Sequence, residues 1–203
     1  MNDELEERVG ADLCVCPKKM KIIGIDPGSR IMGYGIINVS GNKLEHIASG
    51  SINVAKGEIP ERLRDIFFAV RNLVQKFSPN EAAIEEVFMH KNAQSALKLG
   101  QARGAALVAL TEPGNIVVAE YSARQVKQAV VGFGAAEKNQ VQQMVKLLLK
   151  LPNLPKPDEA DALAIAICHA HMGKTKKILQ TASLGSKNNR RNFHVGTKRN
   201  FKI

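Results

Sequence analysis

Cysteine is scarce in this chain of 203 residues. Cys14, Cys16 and Cys168 are all there is, with no C-x-x-C pair and no even set, which excludes a disulfide framework and reads as unpaired thiols in a reducing compartment. Long apolar runs are missing too: no stretch approaches the roughly 20 residues of a membrane span, and no signal-peptide pattern opens the chain. The expectation is a soluble, cytoplasmic protein. His169 and His171 stand two apart and do not converge on a helix. No Ser or Cys nucleophile arrangement is visible, so covalent catalysis has no support. Acids are absent from residues 173–203, which hold nine Lys/Arg.

What is present is an ordinary globular composition, 44% hydrophobic and 24% charged, in a length that suits one domain with a sizeable core. The net charge of +10 lies mostly in the basic tail, because residues 21–172 balance 17 Lys/Arg against 14 Asp/Glu. If four of those acids gather in one metal site, the remaining surface is basic enough to hold a phosphate backbone. Residues 1–19 lack a sustained period and are expected to be a disordered extension, with Met20 a candidate start. Residues 173–203 are expected to be a disordered basic tail, leaving 20–172 as the folded domain.

The stretch KIIGIDPGSRIMGYGIIN (21–38) organises the rest. Ile22, Ile23 and Ile25 read as a short buried strand that stops at Asp26, which Pro27 keeps extended. Gly28, Gly33 and Gly35 are expected to permit a tight return into an antiparallel partner around residues 34–39. Residues 44–54 complete a meander. The apolar stripe of residues 61–77 predicts a helix ended by Ser78-Pro79, and 81–88 a strand parallel to the first. Residues 92–110 predict a second helix whose small face carries Gly100 and Gly104, either for internal packing or for a second subunit. A strand over 115–121, a capping box at Ser122 and Gln125, a helix to about Val131 and another over 136–149 follow. The last helix opens at Asp158-Glu-Ala-Asp161. The expected class is α/β.

Each acid alone has an unremarkable role: Asp158 as a helix cap, Asp161 as a partner of the helix dipole, Glu85 in a salt bridge. Together they are harder to dismiss. Asp26 and Glu85 stand at the carboxyl ends of two parallel strands, where open α/β sheets bind ligands, and the last helix can bring Asp158 and Asp161 to the same edge. Four carboxylates there repel one another and take up protons unless divalent cations neutralise them; oxygen donors alone favour Mg²⁺ or Mn²⁺. Strand parity admits only one of Glu85 and Glu86 to the side of Asp26.

The motifs GIDPGSRIMGYG (24–35), AIEEVFMHKNAQSALKLGQARG (83–104), EYSARQVKQAVVGFGAAEKNQVQQMV (120–145) and DEADALAIAICHAH (158–171), in that order over roughly residues 20–172, resemble the RuvC family of Holliday-junction resolvases. The resemblance implies an RNase H-like mixed five-stranded sheet flanked by helices on both faces, working as a homodimer beside a RuvA–RuvB branch-migration motor. Matched by motif, the catalytic and metal-holding acids fall on Asp26, Glu85, Asp158 and Asp161, with two Mg²⁺ ions per site. It further implies that Phe88, Arg124, Lys127 and Lys138 contact DNA; residue patterning alone makes Phe88 a core residue and the lysines solvated helix faces. The extension 1–19 and the tail 173–203 depart from the family pattern. Two rival readings are an ATP-using protein of the actin and sugar-kinase type, which needs a second similar domain that 203 residues do not supply, and a non-catalytic DNA-binding scaffold, which leaves four ordered acids without a purpose.

Overall fold

Alternation along the first strand decides the layering. In β1 (Met20–Asp26) Ile22 packs into one apolar core while Ile23 and Ile25 pack into another, so both faces of the sheet are covered. The computed structural model describes residues 19–54, 56–87 and 92–188. β1 is followed by β2 (Ile31–Ser40), β3 (Lys43–Asn53), β4 (Glu81–Glu85) and β5 (Val117–Tyr121), and the strands lie in the order β3-β2-β1-β4-β5. β1, β2 and β3 form the antiparallel meander, and β4 pairs parallel to both β1 and β5. The expected mixed five-stranded sheet is the one found.

Helices α1 (Ile59–Phe77) and α2 (Ala93–Thr111) cover one face; α3 (Ala123–Val131), α4 (Lys138–Leu149) and α5 (Pro157–Asn188) cover the other. α1 buries Ile66, Val70 and Val74 along one stripe, the 3.6-residue period seen in the sequence. α2 begins after Asn92, whose side chain accepts hydrogen bonds from the Gln94 and Ser95 backbone. Ser122 and Gln125 form the expected capping box at the start of α3. Among the described residues no helix is long and apolar enough to cross a membrane.

α5 is the central helix. From Ala160 to Ala170 every residue except Asp161 is buried, as befits a helix lying on the sheet with α3 and α4 over it. Leu163, Ile165 and Ile167, each at most 2% exposed, contribute about 2 kcal/mol apiece by leaving water. The helix lies so close to the sheet that a Cβ on Gly24 would stand 2.3 Å from the Ala162 carbonyl oxygen, and one on Gly33 2.1 Å from that of Asp158. This corrects the role expected of Gly33 and Gly35. Both lie inside β2 against α5, and only Gly28, whose Cβ would meet the Ile31 carbonyl oxygen at 1.6 Å, belongs to the tight return.

The end of α5 is a second correction. Helical backbone continues past Met172 to Asn188, where the sequence leads one to expect a disordered tail. Residues 173–184, GKTKKILQTASL, lack proline and consist mostly of fair helix formers, so a helix already nucleated on the sheet propagates through them at little cost. The expectations for residues 1–18, for residues 189–203 and for Phe88 lie outside the described residues.

Candidate active site

The register of the sheet sets the first two acids side by side. Ile25 pairs with Ile84 in the parallel β1–β4 ladder, so Asp26 and Glu85, the last residues of their strands, stand level. Glu81, Ala83 and Glu85 share the face of β4 that looks toward α5, because Ala82 and Ile84 pack into the opposite core and strand side chains alternate. Gly24 touches α5, so Asp26, two residues on, faces the same way. Glu86 has left the strand, its N–H donating to the Tyr121 carbonyl at 2.9 Å. Glu85 is the acid that meets Asp26.

Asp26, Glu85 and Asp161 line one cavity of about 260 Å³ with Lys127 and Lys138, walled by Val126, Val141 and Ile165. Asp158 is not part of its wall, but its charge acts on Asp26. Asp158 lies within the first turn of α5, one residue past its start at Pro157, and so does not cap the helix. Burial, then the Glu85 and Asp161 charges, a hydrogen bond with Glu85 and the Asp158 charge push the Asp26 carboxyl up to about 8. Burial raises Glu85 as well, while the hydrogen bond from Asp26 and the positive charges of Lys138 and Lys127 work the other way. The pair therefore holds a proton above the ordinary carboxylate range. Lys138 Nζ is 3.4 Å from Asp161 Oδ2.

Arg124 is not brought into the cavity: its side-chain stem packs against Gly134, where a Cβ would stand 2.6 Å from Cγ. Sequence reasoning missed Arg103. Its Nε donates to the Glu85 carbonyl oxygen at 3.1 Å, and its guanidinium also pairs with Glu120, so α2 holds the end of β4 in place. An Arg one turn after a small-residue stretch offers no signal of that role in the sequence.

Among the described residues no three His, Cys, Asp or Glu side chains form a ready-made metal cage. The donor set nonetheless fits a hard divalent cation. It is all oxygen, it converges on one edge, and its most buried member keeps a proton that a cation would replace. Because the folded-state value of Asp26, about 8, lies far above the unfolded value of about 3.9, the folded protein binds this proton more tightly. Its contribution to stability is complete below pH ~4 and is lost as the pH rises toward 8. With chelator present, the melting temperature of the wild type relative to Asp26→Asn should fall between pH 6 and 8.5. Parallel melting curves across that range would show that Asp26 is not protonated as described.

Carboxylates gathered at the C-terminal edge of a sheet ordered β3-β2-β1-β4-β5, with a helix laid across them, define a nuclease of the RNase H-like class. The sequence profile of the RuvC family, described as crossover junction endodeoxyribonuclease RuvC, matches residues 22–169. The chain belongs to the RuvC family. It is 51% identical over 172 residues to the crossover junction endodeoxyribonuclease RuvC of Shewanella piezotolerans, covering 85% of this chain and 96% of that one. To the protein of the same name from Photobacterium profundum it is 58% identical over 154 residues, covering 76% and 88%. Thermus thermophilus RuvC in complex with Holliday junction substrate superposes with a TM-score of 0.73 at 36% identity, over 77% of this chain and 96% of that one.

Proposed function

We propose that this protein is a structure-selective DNA endonuclease that resolves four-way junctions in recombination and repair by metal-dependent phosphodiester hydrolysis, leaving 5′-phosphate and 3′-hydroxyl ends. The observation that carries the reading is the convergence of Asp26, Glu85 and Asp161 on one cavity beside Lys127 and Lys138, with Asp158 acting on Asp26 from the same edge. The four acids are the metal-holding and catalytic residues, for two ions per site, Mg²⁺ or Mn²⁺ in kind. Bound there, such ions supply activation of the attacking water and stabilisation of the leaving oxygen. The proton that Asp26 and Glu85 keep between them would be displaced by a cation held there. Lys127 and Lys138 draw a phosphate toward the acids and offset their repulsion of it. Val126, Val141 and Ile165 back the cluster with an apolar wall. Arg124 contacts DNA outside the cavity, and Phe88 stacks on bases at the exchange point.

Two cuts require two copies of the site. On α2 Leu97 and Val108 are 68% and 60% exposed, and nothing lies within 4 Å of the Cβ positions of Gly100 and Gly104. Internal packing therefore does not explain this small-residue face. A groove beside it is lined by Val87, Ala93, Ala96, Leu97, Gly100 and Arg103. It suits the isologous homodimer of the family, with close approach at the glycines. Residues 20–172 make up the nuclease domain and the basic segment 173–203 tethers DNA non-specifically. The enzyme works in the cytoplasm, at the nucleoid, with a RuvA–RuvB motor. Mixing wild type with Asp26→Asn subunits on a supercoiled cruciform plasmid should convert linear product into nicked circles. Linear product that tracks only the wild-type amount would overturn the paired-cut dimer.

A further inference from the structure

Outside the cavity lies a partly buried polar chain, centred on a buried histidine, that the hydrolysis itself does not use. His169, 7% exposed on α5, bonds Tyr121 Oη through Nδ1 at 2.8 Å and Glu81 Oε2 through Nε2 at 2.7 Å. A carboxylate facing Nε2 only accepts, so Nε2–H donates there and Nδ1 accepts a hydrogen bond from the Tyr121 O–H. His171 points elsewhere, its Nδ1 donating to the Ala129 carbonyl at 3.1 Å.

Each member of the chain shares an element with the site. His169 continues the helical row of Asp161 and Ile165, spaced four apart, and both of those line the cavity. Glu81 stands on the face of β4 that ends in Glu85. Tyr121 is the register partner of Glu85, and the residue after it caps α3, the helix that carries Lys127. One imidazole thus links β4, β5 and α5 by two directional bonds, in addition to the β4–β5 ladder and the packing of α5 on the sheet. Packing sets how closely these elements approach, and the two bonds on one ring add a fixed distance and angle between Tyr121 and Glu81.

We propose that His169 is a positioning residue of the nuclease. Through Tyr121 and Glu81 it fixes the spacing of Glu85 from Asp161, and hence the geometry in which the acids take up a divalent cation. The inference rests on the resolvase reading, and the wild type in the same assay tests that reading separately. Tyr121→Phe removes one hydroxyl and keeps the ring; His169→Ala removes the whole link. Single-turnover cleavage of a saturating synthetic junction, well below the melting temperature of each variant, should slow about 10- to 100-fold for Tyr121→Phe. Junction affinity should stay within about twofold, and the Mn²⁺ affinity of the DNA-free protein, read by calorimetry, should weaken about tenfold. His169→Ala, where it folds, should do the same or worse. If Tyr121→Phe melts lower yet cuts and binds Mn²⁺ like the wild type, the chain is a structural strut only and the proposal is overturned. If the wild type does not cut junctions, the resolvase reading fails instead, and the Mn²⁺ measurement still decides the positioning role.

Discussion

Asp26→Asn is expected to lower junction cleavage by at least about a thousandfold, some 4 kcal/mol of barrier, with junction binding intact or tighter. Asn matches Asp in shape and resembles its protonated form, the form that burial and three neighbouring acids impose up to about pH 8. The metal-free fold therefore loses nothing by the exchange. What disappears is the ability to become an anionic ligand at the point where β1 ends, together with one charge that repels phosphate. Cleavage within about tenfold of wild type, measured on folded protein, would remove Asp26 from the catalytic set.

Gly33→Ala should damage stability and cleavage together. Its Cβ would stand 2.1 Å from the Asp158 carbonyl oxygen and 3.3 Å from the Ala162 Cβ. β2 is paired on both sides, with β1 and β3, so the strand has no room to retreat and α5 must lift. Overpacking of this kind costs about 3 kcal/mol. A lift of about 1 Å at the first turn of α5 also misplaces Asp158 and Asp161, which costs about a hundredfold in rate. Denaturant unfolding and single-turnover cleavage read the two effects. Wild-type stability and rate together would show that α5 does not lie on β2 as described. Gly100 offers a contrast: nothing stands within 4 Å of its Cβ position, so a methyl there leaves the core alone.

The elements were legible where one period dominates. The alternation of Ile22, Ile23 and Ile25 and the stripe Ile66, Val70, Val74 gave β1 and α1 because each has an apolar core to face. Asp26 and Glu85 could be placed at one sheet edge from strand–helix–strand order alone. Periodicity could not choose between Glu85 and Glu86; the β1–β4 register does. The acids Asp158 and Asp161 were visible as a pair, but the closeness of α5 to the sheet was not, since Gly33 and Gly35 in a D-P-G-rich stretch look like turn residues. Arg103 and His169 escaped for a related reason. Each is polar, acts across elements far apart in the sequence, and leaves no local pattern. The helical extension to Asn188 was hidden by composition, because Lys, Asn and Gly together look like a solvated tail.

The central claim is that four acids on one sheet edge make this chain a metal-dependent junction nuclease. Its most direct test is purified wild-type protein on a synthetic four-way junction, end-labelled in turn on each strand, with Mg²⁺ or with chelator. The account predicts paired cuts at symmetric positions in two like strands, leaving ligatable 5′-phosphate ends, with Mg²⁺ only. Equal cleavage in chelator, or no cleavage of the junction by folded protein supplied with Mg²⁺ or Mn²⁺, would contradict it.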